Sequence, residues 1–189
     1  MSFKNAPAGW RLESSKKVYS HKYMTLYEDK LDLDGKEKIY LRGKRRDYST
    51  IVPFVSYDAI LVIKSYRHLV DSVQIEVPSG YIEQGESPKE AAIRELEEET
   101  GYRAKKMMSV GSYTLDYSMF IQTGNVFVAY DLEQKGKTNL GKMERIEVDI
   151  KPVAKVKKLL SNGTILNAAS IVALYKAFDF HQHNKWKLL

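Results

Sequence analysis

The stretch GYIEQGESPKEAAIRELEEETGY, residues 80–102, decides how the chain is read. Ser87 stands where an N-cap belongs, Pro88 at the first helical position and Glu90 at the third, the pattern of a capping box; Gly101 supplies a C-terminal stop. The spacing predicts a helix from about Pro88 to Thr100. On a helix turning about 100° per residue, with Glu95 as origin, Glu98 lies at about 300° and Glu99 at about 40°, so three carboxylates share one arc. Ala92, Leu96 and Ile93 fall at about 60°, 100° and 160°, so the acids border the buried face. Acids one turn apart repel by about a few tenths of a kcal/mol in water, and by more beside a core. A hard divalent cation with oxygen ligands, Mg²⁺ or Mn²⁺, offsets that repulsion. Taken alone, Glu95–Glu99 reads more simply as a solvated acidic run; the flanking residues decide otherwise.

Upstream, Pro78-Ser79-Gly80 forces a turn after a strand at Gln74–Val77, and Ala59–Ser65 and Thr50–Val55 read as further core strands. Gly80 lets the chain turn off its strand, five residues return Glu86 to the helix start, and Arg94 reaches neighbouring carboxylates to fix their rotamers. Downstream, strands are predicted at Met107–Leu115 and Gly124–Leu132 and helices at Pro152–Leu160 and Asn167–Phe178. The order indicates an α/β (α+β) fold, a mixed β-sheet covered by helices. The first 48 residues hold short β-favouring stretches at Lys17–Tyr19, Met24–Asp32 and Lys38–Arg42, with Asp34-Gly35 as a hairpin turn. Such a small antiparallel sheet is marginal alone and should lie against the main domain or a second subunit. The boundary is placed near Asp47, giving an N-terminal β subdomain at 1–47 and a catalytic domain at 48–189. His181 and His183 read as residues of a solvated tail.

The 189 residues suit one domain with an appendage, and 43% hydrophobic against 29% charged residues suits a packed core. No apolar run approaches the roughly 20 residues of a membrane span, and Met1–Pro7 holds no apolar leader. With no Cys, thiolate zinc sites, disulfides and a cysteine nucleophile are excluded. A soluble, cytoplasmic protein is the expectation. Its net charge of +6 is segregated: residues 1–50 carry +5, 51–102 carry −6 and 103–189 carry +7. Carboxylates concentrated in one stretch of a basic protein point to a metal site with cationic surroundings, and nucleic acid is not the expected partner.

Gly80, Glu86, Arg94, Glu95, Leu96, Glu98, Glu99, Gly101 and Tyr102 stand in the register G-x5-E-x7-R-E-U-x-E-E-x-G-U, with U apolar or aromatic. The chain resembles the Nudix hydrolases, whose signature this is. Gly9-Trp10, Val18-Tyr19, Asp34-Gly35, Tyr66-Arg67, Glu76–Gly80, Glu144–Val148 and the Gly163–Ala169 stretch resemble the branch that hydrolyses ADP-ribose and nucleotide sugars. Leu115–Phe120 differs from that branch in having no proline in its turn. The resemblance implies metal ligation by Glu95, Glu98 and Glu99, with Glu86 assisting and the Ser79 carbonyl joining. It gives Glu144 as a further ligand or the general base, a helix glutamate being the other candidate for base. It also implies that Arg67 contacts the substrate phosphates or ribose and that Trp10 or Arg46 reaches the nucleotide held by the partner subunit of a homodimer.

Several of these residues have a plainer reading as well. Arg67 can be an ordinary ion pair, Trp10 a core or interface aromatic, and Glu76 either structural or in contact with substrate. The implied reaction is divalent-metal-dependent cleavage of a nucleoside diphosphate sugar to a nucleoside monophosphate and a sugar phosphate. A dinucleoside polyphosphate or capped-RNA pyrophosphohydrolase and a non-catalytic nucleotide sensor are the alternatives.

Overall fold

The computed structural model describes residues 5–136, 138 and 145–184. Its elements are β1 (Trp10–His21), β2 (Met24–Leu33), β3 (Lys36–Arg45), β4 (Tyr48–Ser56), β5 (Ala59–Arg67), β6 (Ser72–Glu76), β7 (Ser79–Tyr81), α1 (Pro88–Thr100), β8 (Tyr102–Tyr113), β9 (Phe120–Ile121), β10 (Gly124–Gln134), β11 (Ile146–Pro152), α2 (Val153–Ser161) and α3 (Ala168–His183). They form two compact units, one holding the residues up to Arg46 with Thr114–Thr123, the other Asp47–Tyr113 and the residues from Gly124 onward.

The first unit is a sheet of order β1-β2-β3-β9. Asp34 and Gly35 have φ of 54° and 81°, the left-handed pair that a two-residue hairpin turn requires, and they join β2 to β3 as predicted. The strands run longer than the short β-favouring stretches because polar cross-strand pairs carry them outward. Asp29, 4% exposed, accepts from Arg42 Nε at 2.6 Å and Ser15 Oγ at 2.5 Å, and Arg11 pairs with Asp32. The segment 114–123 was not foreseen in this unit. Its β9 lies parallel to β3, Gly43 opposite Phe120, and a Cβ on Gly43 would clash with the Phe120 ring, 2.4 Å from Cδ1 and Cε1. Leu31 is the one buried apolar side chain of this unit among the described residues.

The second unit is a mixed sheet of order β11-β5-β4-β10-β8, with β6 paired to β5 and β7 to β4. Alternation along each strand sends successive side chains to opposite faces. Val52, Phe54, Val62, Val126 and Val128 pack with Val156 of α2 and Ala173, Leu174 and Phe178 of α3. Ile51, Phe127 and Ala129 pack with Ala92 and Leu96 of α1. Helices therefore cover both faces, the sandwich predicted from the element order. Strands β7, β9 and β11 were not foreseen, because each is stabilised by pairing to a residue distant in sequence and has little local signal. The chain enters β8 directly after Gly101, earlier than predicted.

Helix α3 runs past Phe178, and this corrects the reading of the C-terminal histidines as a solvated tail. His181 is 6% exposed, its ring stacked on Phe54 with centroids 4.2 Å apart. Its Nε2 lies 3.0 Å from the Tyr57 carbonyl, which can only accept, so Nε2 carries the proton and Nδ1 accepts from the Tyr130 hydroxyl at 3.1 Å. Burial lowers the His181 pKa, and Lys157 lowers it further against the opposing Tyr57 hydrogen bond. His183 stays exposed and bonds the Asp179 carbonyl.

Candidate active site

Helix α1 begins as the sequence requires. The Glu90 N–H donates to Ser87 Oγ at 3.2 Å, the Ser87 N–H to Glu90 Oε2 at 2.8 Å, and Gly101 closes the helix at φ 74°, its N–H donating to the Glu97 carbonyl. The start is fastened to β4, where Ser49 Oγ donates to the Pro88 carbonyl at 2.7 Å. Residues 79–81, where the sequence predicts a turn, are extended: strand β7 lies along β4 with Ser79 opposite Thr50 and Gly80 opposite Ser49, so the start of the loop is held on the same strand as the helix start. Leu96, fully buried, fixes the rotation of α1, and its acidic edge follows from that.

Arg94 organises the acids. Its Nε and Nη2 donate to the two carboxylate oxygens of Glu86, each at 2.9 Å, and Nη2 also donates to the Tyr81 carbonyl at 3.0 Å. Its Nη1 donates to Glu95 Oε1 at 2.6 Å and Glu98 Oε2 at 3.1 Å. Hydrogen bonding to Glu86, above all, raises the Arg94 pKa, so the guanidinium is permanently charged. Glu99, 9% exposed, accepts the Ser79 N–H at 2.9 Å. A Cβ on Gly80 would lie 1.9 Å from Glu95 Oε1, so a side chain here would push the Glu95 carboxylate out of its place beside Arg94.

The structure thus brings Ser79, Glu86, Arg94, Glu95, Glu98 and Glu99 into one frame. As they stand, the carboxylates turn to Arg94 and to the Ser79 amide. Among the described residues, no three His, Asp or Glu are grouped so as to hold a metal ion in this arrangement. The donor chemistry nevertheless fits a hard divalent cation. Three carboxylates meet one guanidinium and a fourth, that of Glu99, meets the Ser79 amide; all the donors are oxygen, and Glu98, with 40% of its side chain exposed, is the most accessible of the three acids that bond Arg94. Glu144 lies outside the described residues.

Arg67 and Glu76 end the paired strands β5 and β6. Arg67 Nε donates to Glu76 Oε1 at 3.0 Å and Nη2 to Oε2 at 2.5 Å, with Glu76 only 2% exposed. The ion-pair reading of Arg67 is therefore observed. Trp10 and Arg46 belong to the first unit: Trp10 opens β1, 45% exposed, and the Arg46 carbonyl accepts from Gln122 Nε2 at 2.6 Å. Two contributors had been missed, the Ser49 hydroxyl and the Tyr81 carbonyl. Ser49 had no local signal, since the β4–α1 contact is made between distant residues. Tyr81 could have been suspected, as the residue after Gly80 faces the loop that Arg94 spans.

Comparison with known proteins agrees with this frame. A family described as NUDIX domain matches residues 44–164. The ADP-ribose pyrophosphatase of Bacillus subtilis (strain 168) is 27% identical over 163 residues, 85% of this chain and 88% of that protein. The ADP compounds hydrolase NudE of Escherichia coli (strain K12) is 29% identical over 144 residues, 75% of this chain and 76% of that protein. A solved structure described as the crystal structure of ADP compounds hydrolase superposes with a TM-score of 0.84 at 25% identity, covering 95% of this chain and 97% of that one. With the glycine, the arginine and the glutamates of residues 80–102 assembled around α1, the chain belongs to the NUDIX family and is a Nudix hydrolase.

Proposed function

We propose that the protein hydrolyses the pyrophosphate bond of ADP-ribose or a related nucleoside diphosphate sugar, with Mg²⁺ or Mn²⁺ held by Glu95, Glu98 and Glu99, Glu86 assisting and the Ser79 carbonyl and Glu144 completing the set. The observation that carries this reading is the excess of carboxylate over guanidinium around Arg94, on a frame whose backbone is fixed at both ends. The names of the relatives point to ADP-linked substrates. A bound divalent cation supplies charge neutralisation at the diphosphate oxygens and a lowered pKa for water.

The chain's own residues do the rest. Arg94 keeps Glu86, Glu95 and Glu98 in one orientation before substrate arrives, so little reorganisation remains at the moment of reaction. A glutamate then takes the proton of the attacking water; Glu98 on α1 and Glu144 are the two candidates. Arg67 meets the substrate phosphates or ribose. The N-terminal residues 1–47 form a subdomain exchanged within a homodimer, placing Trp10 or Arg46 at the partner's nucleotide, while 48–189 form the catalytic domain. A unit with a single buried apolar side chain, as described above, gains most from such an exchange. The absence of Cys suits the reducing cytoplasm.

Incubation with ADP-ribose and Mg²⁺ should release AMP and ribose 5-phosphate, identified by chromatography. Failure to cleave any member of a nucleotide-sugar panel overturns the proposal.

A further inference from the structure

We infer that Glu76 is a positioning residue for Arg67 and makes no contact with substrate itself, an inference that rests on the reading above in which Arg67 meets the substrate. Glu76 ends β6 opposite Ile63, and the next N–H, that of Val77, donates to Ser170 Oγ of α3 at 3.2 Å. Its backbone is therefore tied on both sides. Arg67 ends β5 at a tight turn in which the Val70 N–H donates to the Arg67 carbonyl at 3.1 Å and the Tyr66 hydroxyl donates to Asp71 Oδ1 at 2.6 Å.

From this base the Arg67 side chain, 47% exposed, reaches outward, while Glu76 stays at 2%. Both Glu76 oxygens are engaged by the same guanidinium edge, and this two-point bond fixes the plane of the group. A buried carboxylate so occupied has no surface to offer a ligand. As an anion it would also repel a diphosphate. Its effect on binding must then pass through Arg67, whose rotamer freedom is removed before substrate arrives.

Steady-state kinetics on the full chain with ADP-ribose and Mg²⁺ test this through four proteins: wild type, Glu76→Gln, Arg67→Ala and the double variant. Arg67→Ala should raise KM by about fiftyfold, the scale of a lost charge-assisted contact. Glu76→Gln should raise KM by about fivefold with kcat held within about twofold, the scale of one side chain left to be immobilised on binding. In the Arg67→Ala background, Glu76→Gln should change KM by less than about twofold, because the group it positions is gone.

The double variant should also regain melting temperature lost in Arg67→Ala, whose buried Glu76 charge is left without its partner. Arg67→Lys, which keeps the charge but not the fork, takes the place of Arg67→Ala should the latter not fold. A Glu76→Gln effect that persists undiminished in the Arg67→Ala background, or that falls on kcat with KM unchanged, overturns the inference. A wild type that does not cleave ADP-ribose overturns the functional reading instead, and the same four-protein cycle is then read in ADP affinity by calorimetry. Additive losses of ADP affinity, or no ADP binding by the wild type, overturn the inference there.

Discussion

Arg94 and Arg42 both gather carboxylates, but over different stretches of chain. Arg94 reaches Glu86, Glu95 and Glu98 from at most eight residues away, on a loop and helix that a buried Leu96 holds against the sheet. Arg42 reaches Asp29 across a strand pair, 13 residues away, and Ser15 at 27, in a sheet with almost no apolar core. The first cluster carries more acid than its arginine can balance; in the second, one arginine and one hydroxyl satisfy one aspartate. Excess charge on a rigid, core-backed frame is an arrangement for binding a cation, and a balanced pair on an exposed sheet is an arrangement for holding strands in register.

Truncating the support of each region should separate them most. Leu96→Ala removes a fully buried side chain behind the acidic frame and should cost about 3 kcal/mol of stability in urea denaturation, whereas Leu31→Ala in the thinner first sheet should cost less. Equal losses would mean that the two regions are supported alike.

Glu98→Gln should lower ADP-ribose turnover by roughly 10², about 2.7 kcal/mol of barrier, with an unchanged melting temperature. A small loss would shift the role of base to Glu144. Next in size, Arg42→Ala strands the Asp29 carboxylate and should cost about 2 kcal/mol of stability, which Asp29→Asn in the same chain should partly restore. No restoration would deny that the pair is balanced.

Acid should loosen the first sheet in a specific window. Hydrogen bonding to Arg42 holds the Asp29 carboxyl below its ordinary range, so its contribution is present above the unfolded value near pH 4 and is lost as pH falls through the lower folded value. The smallest expected effect lies in the second unit. His181 is held below the ordinary imidazole value, so the unfolded chain takes up the proton first. Stability is full above about pH 6.5 and declines as pH falls below it. Denaturation of His181→Phe at pH 7 and pH 5.5 should lack that decline; an identical slope would place the titration elsewhere.

What could be read beforehand follows the same division. Ser87, Glu90 and Gly101 act within their own helix, so the sequence placed α1 to the residue, and the box spacing named every acid that Arg94 gathers or Ser79 bonds. Asp34-Gly35 likewise announced its hairpin. Strand β11 could not be read so, because it exists by pairing with β5 some 80 residues earlier: Ile146 faces Ser65 and Pro152 faces Ala59. Strand β9 depends in the same way on the space above Gly43. His181 reads as tail because the partners that bury it, Phe54, Tyr57 and Tyr130, come from β4, the turn after it and β10 and leave no local signal.

That the acids around Arg94 hold a divalent cation is tested, without any turnover, by titration of Mn²⁺ into the protein followed by the electron paramagnetic resonance of the free ion. The wild type should remove the free-ion signal saturably, and a Glu95→Gln, Glu98→Gln, Glu99→Gln triple variant that still folds should remove none. Equal Mn²⁺ uptake by the two proteins would contradict it.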